Sequence, residues 1–73
     1  MNQDEKLIQC SEEETILKFF VCGHLPPKLR EVSEPFGDIA LMAIMRLLPR
    51  SAERTVALRK LLESKDAAVR AAL

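Results

Sequence analysis

A proline between two helical patterns constrains this chain more than any other feature. Pro49 follows Ile39-Ala40-Leu41-Met42-Ala43-Ile44-Met45-Arg46-Leu47-Leu48, in which only Arg46 is polar, and precedes a run from Ala52 to Leu73 that contains neither proline nor glycine. Proline brings no amide hydrogen to a helix interior, so the first pattern has to stop there. Ser51 then offers a hydroxyl to the free amides of a new first turn, and Glu53 places negative charge where the helix dipole favours it. A helix is expected over 51–72. With only Pro49-Arg50 as a bend, two such helices are antiparallel neighbours, an αα-hairpin.

The segments before the hairpin are read in the same way. Ser11-Glu12-Glu13-Glu14 has the form of a capping box, which predicts a short helix over 11–22 carrying Ile16, Phe19 and Phe20 at helical spacing. Gly23 is expected to end it in a left-handed turn. His24-Leu25-Pro26-Pro27 then reads as an extended link, because a residue before proline is pushed away from helical geometry. The first hairpin helix is expected over 27–48, kinked or broken at Pro35. Residues 1–10 carry no strong pattern and are expected to be flexible. In the second hairpin helix Leu58, Leu61, Leu62, Ala68, Val69 and Ala72 share a face, interrupted by Lys65 with its stem packed and its amine reaching past its neighbours. Arg59 with Glu63 and Asp66 with Arg70 form i, i+4 pairs on the opposite face. The expected class is therefore all-α: one domain over 1–73, with a short N-terminal helix followed by a long antiparallel αα-hairpin.

Size and charge add a partner. A 73-residue chain buries only about 60 to 65% of the surface its unfolded form exposes. Phe19, Phe20 and Phe36 are its only aromatics, so the core is aliphatic. The stretch Ile39–Leu48 is apolar nearly all round, and a helix of that kind must be covered on more than one side. A monomer of this size has one side to give, and a homo-oligomer is expected. Residues 1–38 hold four basic and eight acidic side chains, residues 39–73 seven basic and three acidic. That dipolar split suits pairing with further copies and contact with a phosphate, but a nucleic-acid duplex calls for a stronger basic footprint.

Other classes find little support. No apolar run reaches the length of a membrane span, and the N-terminus lacks the basic flank and apolar stretch of a signal peptide, so a cytoplasmic protein is expected. Cys10 and Cys22, set on or beside one predicted helix, would be about 18 Å apart, beyond disulfide reach; free thiols are expected. Zinc at Cys10, Cys22 and His24 would need a fourth ligand. The chain has one histidine and two glycines and no recognisable nucleophile or glycine-rich loop, so no enzyme and no cofactor are expected. Glu12, Glu13 and Glu14 read as first-turn charges favourable to the helix dipole.

Candidate binding residues remain. His24 reads either as a turn residue bonded to a nearby carbonyl or as pocket lining with Leu25. Lys28 and Arg30 read as solvated charges or as phosphate contacts. Arg54 lies one turn before Leu58 at the hairpin end. A guanidinium there suits a bidentate bond to phosphate, with Thr55 and the first-turn amides as neutral donors; the alternative is a solvated surface arginine.

Phe20-Val21-Cys22-Gly23-His24-Leu25-Pro26-Pro27 and Arg54-Thr55-Val56-Ala57-Leu58 together resemble the small helical-hairpin sponge family that phages use against the CBASS and Thoeris defences. The resemblance covers roughly residues 20 to 73. Cys22 stands where that family often has an aromatic residue suited to stacking on a base. What the resemblance implies is a homohexamer in the bacterial host cytoplasm that sequesters cyclic dinucleotides, and in some members cyclic trinucleotides at separate sites, without cleaving them. It points to His24, Leu25, Pro26, Lys28, Arg54, Thr55 and Leu58 as ligand-binding residues. A helical oligomerisation or protein-interaction module with no nucleotide ligand is the alternative.

Overall fold

The computed structural model describes all 73 residues and is all-α, with four helical elements and no strand. Helix α1 is Gln3–Cys10, a 3₁₀ turn runs over Thr15–Phe20, α2 is Pro27–Asp38, and α3 is Ala52–Ala71. Directly after α2 the same helix continues as a π-helical stretch, Ile39–Met45. Leu7, Leu17, Phe20, Ala40 and Leu58 meet with no exposed surface, so every helical element puts at least one side chain into one small core.

The N-terminal quarter departs from expectation. Residues 3–10, expected to be flexible, form α1. The capping box that forms is Asn2 with Glu5: Asn2 Oδ1 accepts from the Glu5 amide at 2.8 Å, and Glu5 Oε1 accepts from the Asn2 amide at 3.1 Å. Ser11 ends this helix instead of starting another, donating its hydroxyl to the Ile8 carbonyl at 2.5 Å. An eight-residue helix is too short to stand alone. Leu7 anchors it in the core, and two polar side chains tie it down: Gln3 Nε2 donates to the Glu34 carbonyl at 2.7 Å and to Asp38 Oδ1 at 3.0 Å, while Asp4 accepts from the amides of Cys22 at 3.1 Å and Gly23 at 2.8 Å.

The helix expected over 11–22 is instead a six-residue 3₁₀ turn. Side chains three apart eclipse one another in a 3₁₀ helix, and Leu17 and Phe20 are both wholly buried. Gly23 takes no left-handed conformation, since no residue has positive φ. Its lack of a side chain serves a close approach, as a Cβ there would stand 2.5 Å from Asp4 Oδ2.

The two helical segments expected for the hairpin form and pack against each other, but the first is α-helical only to Asp38 and π-helical over Ile39–Met45. Pro27 occupies the first turn of α2, where its missing amide is harmless. Pro35 lies inside α2 without breaking it. Over the apolar run, Ala40, Leu41, Ile44 and Met45 pack toward the core, whereas Ile39 and Met42 in the π-helical stretch, and Leu47 and Leu48 beyond it, are 46, 56, 64 and 45% exposed. The apolar run thus has two faces, and this chain covers one. Ser51 caps α3, accepting from the Arg54 amide at 3.1 Å. Lys65 is buried on the stripe and its Nζ donates to the Phe19 carbonyl at 2.9 Å. Neither expected i, i+4 pair closes: Asp66 turns to Lys65 at 3.0 Å, and Arg59 and Glu63 stay in solvent. Cys10 and Cys22 are free, but Cys10 ends α1 and Cys22 lies in the link after the 3₁₀ turn rather than on one helix. No helix is long and apolar enough to cross a membrane.

Candidate functional site

The opening of α3 places its first inward side chain against the rest of the fold. The Ser51 cap sets the helix phase so that Arg54 and Leu58, four apart, point the same way. Leu58 enters the core, and Arg54 follows it to 5% exposure. Thr55, next along, turns to the rim. What meets them is Glu14, a carboxylate only 6% exposed. Thr55 Oγ1 donates to Glu14 Oε1 at 2.9 Å and reaches Oε2 at 3.1 Å.

Arg54 is less well served. Its Nη1 donates to the Leu48 carbonyl at 3.2 Å. Its Nη2 lies 3.6 Å from Glu14 Oε1 and 3.9 Å from Glu13 Oε2, distances of charge attraction rather than hydrogen bonding. Nε and Nη2 are buried without a hydrogen-bond partner, the only other such side-chain atom being Ser33 Oγ. Of a guanidinium's five N–H groups, the three on these atoms are idle. A cavity of about 540 Å³ opens beside the cluster, lined by Glu13, Glu14, Thr15, Ile16, Arg50, Ser51, Ala52 and Thr55. Donors gathered over a helix N-terminus suit an oxyanion.

His24 and Leu25 lie elsewhere, in a groove of about 380 Å³ with Lys18, Phe19, Val21, Lys65, Asp66, Val69 and Arg70. The His24 side chain is exposed, and no hydrogen bond to a nearby carbonyl forms. Phe19 is 56% exposed, with Lys18 Nζ 5.6 Å from the centre of its ring. Pro26 caps α2, and Lys28 is exposed in its first turn, lining neither cavity. Leu58 reaches no solvent; its part is to hold the face from which Arg54 and Thr55 project. Arg30 lines two shallow depressions with Glu34, away from both. The seven sequence-predicted residues therefore fall in separate places: Arg54 and Thr55 meet at Glu14, and His24 and Leu25 share the other groove.

Sequence reasoning missed Glu14 and Phe19. A signal for Glu14 was present: Glu14, Leu17 and Phe20 follow a three-residue period, and all three are buried. Read with the α-helical period, Glu14 fell among solvated charges. Cys22 is a closed thiol: burial pushes its pKa up, and Asp4 and Glu34 nearby push the same way. No group of three or more His, Cys, Asp or Glu side chains is gathered as metal ligands would be. No protein family, curated protein or solved structure matches this chain.

Proposed function

We propose that this protein binds a cyclic dinucleotide or cyclic trinucleotide messenger and sequesters it uncleaved between copies of itself, as a phage immune-evasion protein acting in the bacterial cytoplasm. The observation that supports this most is the incomplete pairing of Arg54. A buried charge without full hydrogen bonding is destabilising, and an anion with several acceptor oxygens would complete it. Thr55 beside it supplies a neutral donor to the same oxyanion, and the cavity against Thr55 is of a size that takes a small ligand. Sequestration acts by mass action: a tight complex lowers free messenger with no bond made or broken.

The uncovered apolar face, Ile39, Met42, Leu47 and Leu48, supports assembly. The same face favours a second reading, in which the chain is an oligomerisation or protein-interaction module with no nucleotide ligand. A thermal-shift screen with cyclic dinucleotides, cyclic trinucleotides and cyclic ADP-ribose isomers separates the two. The sequestering reading expects a raised melting temperature with at least one of them and chromatographic recovery of that nucleotide intact after heating. No shift with any of them leaves the interaction module; recovery of linearised or hydrolysed nucleotide would show that it is cut rather than held.

A further inference from the structure

Glu14 lines the 540 Å³ cavity at the start of α3, and Arg54 does not. The carboxylate lies against the guanidinium at 3.6 Å and takes the Thr55 hydroxyl at 2.9 Å, so it occupies the position from which an anion in the cavity would use both donors. Its grip is incomplete: a carboxylate made to saturate Arg54 would form the bidentate, hydrogen-bonded pair this geometry favours, and here Nε and Nη2 stay idle. The backbone that carries Glu14 is a joint rather than a helix. It is extended, with φ −132° and ψ 97°, between the end of α1 and the 3₁₀ turn.

We infer that Glu14 is an intramolecular placeholder for the ligand's phosphate, a carboxylate that clasps Arg54 and Thr55 in the free protein and must swing out when the anion arrives. This rests on the nucleotide-sequestering reading and deepens it. A singly charged group in the cavity gains little by exchanging with a carboxylate already tethered there. A ligand with two or three phosphates joined in a ring brings further charges to Arg50 and the α3 amides, so the clasp selects for multiply charged anions. The apparent affinity is scaled by the fraction of protein with the clasp open.

The test titrates Glu14→Gln, Glu14→Asp, Glu12→Gln and the unaltered protein with cyclic di-adenylate, cyclic di-guanylate, cyclic GMP-AMP and cyclic tri-adenylate. Circular dichroism first establishes that each variant is folded. For a clasp closed about nine-tenths of the time, Glu14→Gln should tighten binding of the preferred nucleotide about tenfold. Glu14→Asp, which keeps the charge but shortens the reach, should also tighten it, and carries the test if the Gln variant does not fold. Glu12→Gln removes the same charge from an exposed neighbour that lines no cavity and should change affinity less than about twofold. Equal gains from Glu12→Gln and Glu14→Gln would reduce the effect to general charge and overturn the clasp. Unchanged affinity in the folded Glu14 variants would overturn it too, while binding by the unaltered protein keeps the sequestering reading. No binding by any of the four proteins would overturn both.

Discussion

Asp4 and Glu14 both come from the N-terminal quarter, and each reaches across the fold to a distant segment. Asp4 accepts from two backbone amides, at Cys22 and Gly23, with one oxygen for each. Glu14 takes one hydroxyl and faces a buried guanidinium that it does not saturate. The first arrangement fastens α1 to the link before α2, and its donors are matched to its acceptors. The second leaves polar atoms buried and idle, which a fold alone gains nothing from. Complete pairing marks the fastening at Asp4, and at the candidate site it is a charged group, Arg54, that is left incompletely paired.

The largest effect that sharpens this contrast belongs to Arg54. Replacing it with Met together with Glu14→Gln removes both charges of the incompletely bonded buried pair, so thermal stability should stay level or rise. Nucleotide affinity, measured by calorimetry, should fall by about 2 to 4 kcal/mol as a charge-assisted phosphate contact is lost. A parallel loss of stability and binding would put Arg54 in the same class as Asp4 and erase the distinction. Asp4→Ala should do the opposite, reducing stability to urea by about 1 to 3 kcal/mol because two amides lose their acceptor, while the folded fraction binds nucleotide as before. A binding defect in that fraction would show that α1 shapes the site.

Gly37 tests the same fastening from the other side. A Cβ there would stand 2.6 to 2.7 Å from the Gln3 amide group, and would drive it off the Glu34 carbonyl. Alanine favours a helix by up to about 1 kcal/mol, whereas the two bonds of Gln3 are together worth about 2 kcal/mol. Gly37→Ala should therefore destabilise by about 1 kcal/mol, and denaturation showing a more stable protein would mean that Gln3 contributes little.

How much of this was legible in the sequence depends on how far each determinant reaches. Ser51, Pro49 and the Leu58 stripe act within a turn or two, and the hairpin they predict is the hairpin observed. The charged pairs on the outer face of α3 were also local predictions, but exposed pairs are weak, and Lys65 drew Asp66 away. Helix α1 depends on Gln3 and Asp4 meeting partners 18 to 35 residues away, which no local pattern displays. At the candidate site Arg54 and Thr55 were readable from the start of α3. Their partner was signalled only by the three-residue period of Glu14, Leu17 and Phe20, which the α-helical period overrode.

The smallest effect concerns the thiol beside Asp4. Burial, with Asp4 and Glu34 nearby, raises the Cys22 pKa, so the folded protein holds that proton more tightly than the unfolded chain does. A group with a raised folded pKa contributes stability that is fully present below the unfolded value and is lost as pH climbs through the folded one. For a thiol, whose ordinary pKa is about 8.5, the protein should thus keep this group's full contribution at neutral pH and lose stability progressively in alkali. Cys22→Ala removes that slope and leaves Cys10, which is only half-buried, as the remaining thiol. Urea midpoints measured through the alkaline range should converge for the two proteins relative to their neutral difference, and a disulfide-exchange reagent on the unaltered protein should label Cys10 before Cys22. Parallel pH profiles would mean that Cys22 ionises as freely as an exposed thiol, and that the Asp4 fastening opens far more readily than its two short hydrogen bonds suggest.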